Sequence, residues 1–299
     1  MNSENSSSVQ GQFMNETPGK ALTFLELLAS ELSSQDLDLP AFPDIAIQIL
    51  DALDDPAVST DMMTRIVLSD PVLTARLMRL ANSALLMRGS QEVTDLKTAI
   101  SRIGFKMVRN AAVSRAMDTT FSVPEGSPLR VHIVNLRKHS IRVASLAYLL
   151  AKRKPCTKNP DEAMLAGLLH NIGKFYIWAR AVRSPDLFSD DQELEAQLKT
   201  WHTGIGRAIV ESWGFLEQIV EAVDQHEELD RSASGPPDLT DIVIVANLIA
   251  NDPDLLDSAW SDLAGIPSCQ KLQIDKQAVK QLLLESAKEI NSLSRALSG

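Results

Sequence analysis

Apolar residues recur at three- and four-residue intervals along most of the chain, and runs that alternate apolar with polar are nearly absent. That period predicts helices rather than strands. LTFLELLASEL, from Leu22 to Leu32, is the first such run. In LPAFPDIAIQILDAL, Pro43 fits a helix entry, because its ring fixes φ and lacks the donor that a helix interior needs. STDMMTRIVLSDPVLTARLMRLANSA divides at Asp70 and Pro71. The aspartate can cap there, and the proline takes the first helical position, where no N–H is required. TDLKTAISRIG stops at Gly104, and FKMVRNAAVSRAMDTTF starts a further helix. SVPEGSPL, Ser122 to Leu129, carries two prolines and a glycine and is the best boundary.

Beyond it a long helix is expected over about 130–152, interrupted by KRKPCTKNP. Asn159, Pro160 and Glu162 then form a start signal: cap residue, first-position proline, glutamate at the third position. That helix runs into Leu168, Leu169 and His170. SPDLFSDDQELEAQLKTWHTGIGRAIVESWG reads as a loop and then a helix, and LEQIVEAVDQHEEL as another. RSASGPP is a polar loop. DLTDIVIVANLIAND is apolar enough for a strand, but its length and neighbours favour a buried helix, and DKQAVKQLLLESAKEINSLSRAL closes the chain as a helix. The expected fold is all-α and multi-helical, in two packed helical subdomains. Its expected parts are a flexible polar leader (1–19), an N-terminal helical subdomain (20–125), a second helical subdomain (126–255) and a C-terminal helical extension (256–299).

Composition narrows the function classes. The formal net charge is −10, which argues against non-specific binding to a nucleic-acid backbone. TARLMRLANS and SRIGFKMVRNAAVSRAM nevertheless bring Arg76, Arg79, Arg102, Lys106, Arg109 and Arg115, side chains that could approach phosphates or form solvated faces. Aromatics are 5% of the chain, so aliphatic side chains and methionine must fill the core; the methionines near Met63 and Met107 read chiefly as packing. Two cysteines, Cys156 and Cys269, give no disulfide framework and fit a reducing cytoplasm, the expected location. No run is long enough to cross a membrane, and no basic region followed by an apolar stretch marks a signal peptide.

Five histidines remain: 132, 139, 170, 202 and 226. The last four are spaced by 31, 32 and 24 residues and fall on expected helices or at their edges. Ligands from separate helices are how a bundle builds a metal site in its core. Imidazoles suit iron, zinc or manganese better than magnesium.

LSDPVLTARLMRLANSALL with DLKTAISRIG, and then HSIRVASLAYLLA, LAGLLHNIGK and WHTGIGRAIVESWGFLEQIVEAVDQHE, resemble the HDOD branch of the HD phosphohydrolase superfamily over about residues 22–255. The resemblance implies a signalling domain of bacterial origin. It matches His139 to the first metal histidine of active relatives and His170 to the histidine of their His-Asp doublet. Asn171 stands where the doublet has aspartate, and Asn247 where a later aspartate is expected. His202 and His226 match further ligands of two-metal relatives that cleave cyclic dinucleotides. Glu227 replaces the second histidine of a His-His pair, and Lys174 matches a lysine kept after the doublet. The Gly-Tyr-Pro signature of those relatives is absent.

Asparagine offers a neutral carbonyl and no base, so two lost carboxylates should weaken a divalent-ion site. The expectation is therefore a non-catalytic regulatory module acting through a signalling protein partner or a bound small ligand. On this reading no cofactor is required, although the four histidines and Glu227 could still hold iron, manganese or zinc. The alternative is a divergent metal-dependent phosphohydrolase acting on a nucleotide or cyclic dinucleotide. Asn171 and Asn247 are expected to face the cavity of His139 and His170. Equally, the four histidines could belong to a satisfied polar network, Lys174 could be a solvated lysine, and Asn82 should bond backbone.

Overall fold

A computed structural model describes Glu31 and residues 40–87, 91–153, 159–183, 191–232, 234–251 and 265–298. The expected leader, the Leu22–Leu32 helix apart from Glu31, Cys156 and the opening SPDLFSD loop lie outside these residues. Among the described residues all regular structure is α-helical, as the 3.6-residue period requires. The helices are α1 (Asp44–Asp54), α2 (Thr60–Val67), α3 (Pro71–Ala81), α4 (Ala84–Met87), α5 (Leu96–Ile103), α6 (Phe105–Thr120) and α7 (Arg130–Arg153). They continue as α8 (Pro160–Leu169), α9 (Ile172–Arg183), α10 (Asp191–Ser212), α11 (Glu217–Gln225), α12 (Leu239–Asn251), α13 (Pro267–Lys271) and α14 (Lys276–Ser298).

The local signals act as their chemistry demands. Asp70 accepts from the amides of Val72 and Leu73 at the start of α3, with Pro71 at the first position. Ser59 and Asp95 cap α2 and α5 in the same way. Gly104, at φ 80°, ends α5 and lets α6 begin at the next residue, a conformation that only glycine adopts without strain. Asn159 behaves otherwise. Its side chain makes no cap bond but donates to the Glu162 carboxylate, while Pro160 still opens α8. Asn82 pairs both ways with the backbone of Val93, donating to its carbonyl at 2.9 Å and accepting from its amide at 2.8 Å.

One apolar core runs from Phe42 to Leu297 and joins all parts of the chain. Helix α8 lies at its centre: every residue from Ala163 to Leu169 is buried. Truncating one of its leucines to alanine should cost about 2–5 kcal/mol. DLTDIVIVANLIAND forms a helix buried at nearly every position, which explains why its sequence lacks a polar face. The long α7 packs against α8, α12 and α14, and α14 also contacts α3 and α4, so the C-terminal helix ties early and late elements together.

Candidate metal centre

Glycine positions the site. A Cβ on Gly173 would stand 1.9 Å from the carbonyl oxygen of His202, so α9 and α10 cross with no room for a side chain. Gly206 makes a second close approach, of α10 against Val223 of α11. These close approaches bring the ends of two helices against the middle of a third. His170 follows α8, His202 lies in α10, and His226 and Glu227 follow α11. All three histidines are buried: His170 and His202 are 0% exposed and His226 1%. His139 of α7 stands beside His170 with ring centroids 5.4 Å apart, His170 beside His226 at 5.0 Å, and His226 beside His202 at 5.2 Å.

Each buried imidazole is oriented by a backbone carbonyl of its own helix. The Nδ1–H groups of His170, His202 and His226 donate to Gly167 at 2.8 Å, Leu198 at 2.6 Å and Val223 at 2.8 Å. With Nδ1 protonated, a neutral ring carries its lone pair on Nε2. Burial holds His226 at a pKa of about 3, with the neighbouring His202 adding to the shift, and burial likewise depresses His170 and His139. This is the arrangement by which proteins fix the tautomer of metal-binding histidines.

The cluster then divides. In one half the polar atoms are mostly matched. Asn171 donates its amide to His170 Nε2 at 2.7 Å, and His139 Nε2 donates to Asn247 Oδ1 at 2.9 Å. Both asparagines thus border the His139–His170 pair although they lie far apart in sequence. One acceptor is left over: Asn171 Oδ1 is buried with no hydrogen-bond partner.

In the other half three acceptors face one another. His202 Nε2 lies 3.3 Å from His226 Nε2 and 3.1 Å from Glu227 Oε1, and His226 Nε2 lies 3.8 Å from that oxygen. Glu227 is exposed, and its carboxylate faces two imidazole nitrogens in an arrangement that can hold a cation or a shared proton. Their separations are close to the edge of a tetrahedron with bonds of about 2.0–2.1 Å, which is about 3.3 Å. Two histidines and one carboxylate are an established donor set for zinc and for non-haem iron, and the residues present therefore fit a transition-metal ion. The same Glu227 oxygen is 3.1 Å from Lys174 Nζ. The Lys174 ammonium beside it favours the ionised form of the Glu227 carboxyl.

The donor atoms that could hold an ion together are those of His202, His226 and Glu227. His139 and His170, expected in the same ligand set, lie alongside with their Nε2 atoms engaged by asparagines. Arg207 points away, pairing with Glu211 and Asp224. His132 stacks on Trp178 at 4.4 Å and takes no part. Buried Cys269 is a free thiol whose pKa is pushed up to about 11, which suits packing and not chemistry.

Residues 39–229, more than half of the chain, match the model of the HDOD domain. The chain belongs to the HDOD domain family. A role in signalling and regulation is the functional class that this membership supports. Among solved structures, an HDOD domain protein of unknown function from Geobacter sulfurreducens is 26% identical, with a TM-score of 0.66 over 92% of this chain and 99% of that one. A protein from Shewanella amazonensis SB2B, named as a candidate metal-dependent phosphohydrolase, superposes with a TM-score of 0.78 at 23% identity, over 93% of this chain and 99% of its own. A candidate signal transduction protein from Marinobacter aquaeolei VT8 gives 0.61 at 20% identity, over 94% and 67%. At such identities the last two establish shared fold alone. A curated relative, an uncharacterized protein of Treponema pallidum (strain Nichols), is 22% identical over 74% of this chain. The chain spans under half of that relative's length, 44%.

These findings correct one expectation. The replacement of aspartate by Asn171 and Asn247 pointed away from an enzyme, on the premise that the metal site was lost with them. The metal-capable cluster is formed instead by His202, His226 and Glu227, none of which depends on either asparagine, so that inference falls. The site is a non-standard one, displaced from the doublet. Among the described residues no helix is long and apolar enough to cross a membrane.

Proposed function

We propose that this HDOD domain is a metal-dependent regulatory module, in which His202, His226 and Glu227 hold a zinc, iron or manganese ion and a signalling protein partner reads the loaded state. The observation that carries the reading is the convergence of three acceptor atoms, each histidine oriented by a backbone carbonyl, with no protein donor among them apart from Lys174 at Glu227. A bound ion would neutralise their mutual repulsion and pin α10 to the end of α11. Metal loading would thereby become a statement about helix packing that a partner could sense. Elemental analysis of protein purified without chelator, followed by anaerobic titration with Zn²⁺, Mn²⁺ and Fe²⁺, tests it. About one ion per chain is expected, with binding lost in Glu227→Gln and His202→Ala; metal at trace level in both assays would end the proposal.

A specific contact favours a second reading, hydrolysis of a phosphate ester in a nucleotide or cyclic dinucleotide. Lys174 Nζ is held at the cluster by Glu227 and could meet a substrate phosphate when that carboxylate turns to an ion. The ion would supply Lewis-acid chemistry. Lys174 would supply charge, and His139 with Asn247 a hydrogen-bonded wall. Turnover on a phosphatase and phosphodiesterase panel that disappears in Lys174→Ala distinguishes this reading from the first.

A further inference from the structure

A concavity of about 430 Å³ opens between α3 and α14, well separated in sequence from the histidines and lined by Arg79, Asn82, Lys288, Asn291, Ser292 and Arg295. The α14 members fall at i, i+3, i+4 and i+7, one face of that helix. Among the described residues no carboxylate lines it.

The cations here differ from the others nearby. Arg76 pairs with Asp118, Arg115 with Asp70 and Lys106 with Glu162, while Arg102 donates to the carbonyls of Ala81 and Gln91. Arg79, Lys288 and Arg295 form no ion pair with any described residue. Arg79 and Arg295 each stand in the last turn of their helix, where the dipole accommodates a cation. That reason covers neither Lys288 nor the gathering of all three around one acid-free concavity in a chain of net charge −10. Neutral donors stand beside them. Ser292 Oγ accepts from the amide of Ala84 at 2.9 Å and keeps its proton to give, and Asn291 has an exposed amide.

We propose that this concavity binds a small ligand carrying a di- or triphosphate group. Three cations match the charge of such a group, and two arginines add paired donors suited to phosphate oxygens. The ligand would bridge α3 and α14, the contact through which the C-terminal helix holds the N-terminal elements. Inorganic tripolyphosphate titrated into metal-free full-length protein is the test, with a single-stranded oligonucleotide as the competing phosphate source. One saturable site is expected, weakened at least tenfold in the Arg79→Ala/Lys288→Ala/Arg295→Ala variant and untouched in Glu227→Gln, which separates it from the metal centre. The three side chains are exposed, so the fold should survive; Arg79→Lys/Arg295→Lys keeps the charge and should retain partial binding. Absence of saturable binding, equal binding by the triple alanine variant, or tighter binding of the oligonucleotide would overturn the proposal.

Discussion

Two buried polar clusters of this molecule are built on opposite plans. Where α3, α6, α7 and α14 meet, Arg76 and Arg137 share the carboxylate of Asp118. Arg76 also donates to Ser114 at 3.2 Å, and Arg137 donates to the Leu297 carbonyl at 3.3 Å. Burial lowers both guanidinium groups to about 10, so they remain charged at neutral pH. Opposite charges meet here within the chain, although Arg76 Nε is buried without a hydrogen-bond partner. In the histidine cluster, three acceptors at His202, His226 and Glu227 confront one another, and the nearest cation is the ammonium of Lys174. Opposite charges that meet one another serve the fold. Like atoms that face one another need something from outside, and that asymmetry separates a structural cluster from a binding site more surely than residue type does.

The comparison can be broken hardest at Asp118. Asp118→Ala strands buried Arg76 and half-buried Arg137 and should cost about 3–5 kcal/mol in chemical denaturation. The protein that remains folded should keep its metal affinity, because no histidine ligand is touched. Gly173→Ala acts on the other plan: a Cβ 1.9 Å from a backbone oxygen must push α9 from α10, costing about 3 kcal/mol and removing metal binding with it. If calorimetry found full metal affinity in Gly173→Ala, the close helix crossing would not be what builds the site. Glu227→Gln sharpens the contrast. It should reduce metal affinity by more than the roughly 10–100-fold typical of an outer-sphere change, yet leave the unfolding midpoint of the metal-free protein nearly unmoved.

The last test concerns pH. His226, His170 and His139 have pKa values below the ordinary 6.5 in the folded chain, so the unfolded chain binds more protons as pH falls through that value. Stability of the metal-free protein should therefore decline on acidification from about 6.5 towards 3, the value held by His226. His226→Asn should flatten part of that slope. A stability profile level across the window would mean that these rings titrate normally in the folded state.

The period of apolar residues, the cap at Asp70 and the stop at Gly104 were legible because they act within one turn of the chain. Each depends on neighbours three or four residues away, and no distant contact overrides it. The histidines were legible as candidates as well, through their spacing and the HDOD resemblance. Their division into a satisfied half and an open half was not. The face of Lys288, Asn291, Ser292 and Arg295 shows helical spacing in the sequence, but only the position of Arg79 against it makes a concavity.

The sequence by itself determined that the chain is helical, where most helices begin and end, and which residues are available as ligands. Tertiary structure alone decided which polar atoms meet. Asn247 reaches His139 across 108 residues, and His202 finds Glu227 where Gly206 lets α10 lie close against α11. Helix formation is satisfied by backbone bonds that repeat locally, whereas the partner of a buried side chain is fixed by how whole helices pack, and a change of an ångström at one crossing alters every such pairing around it.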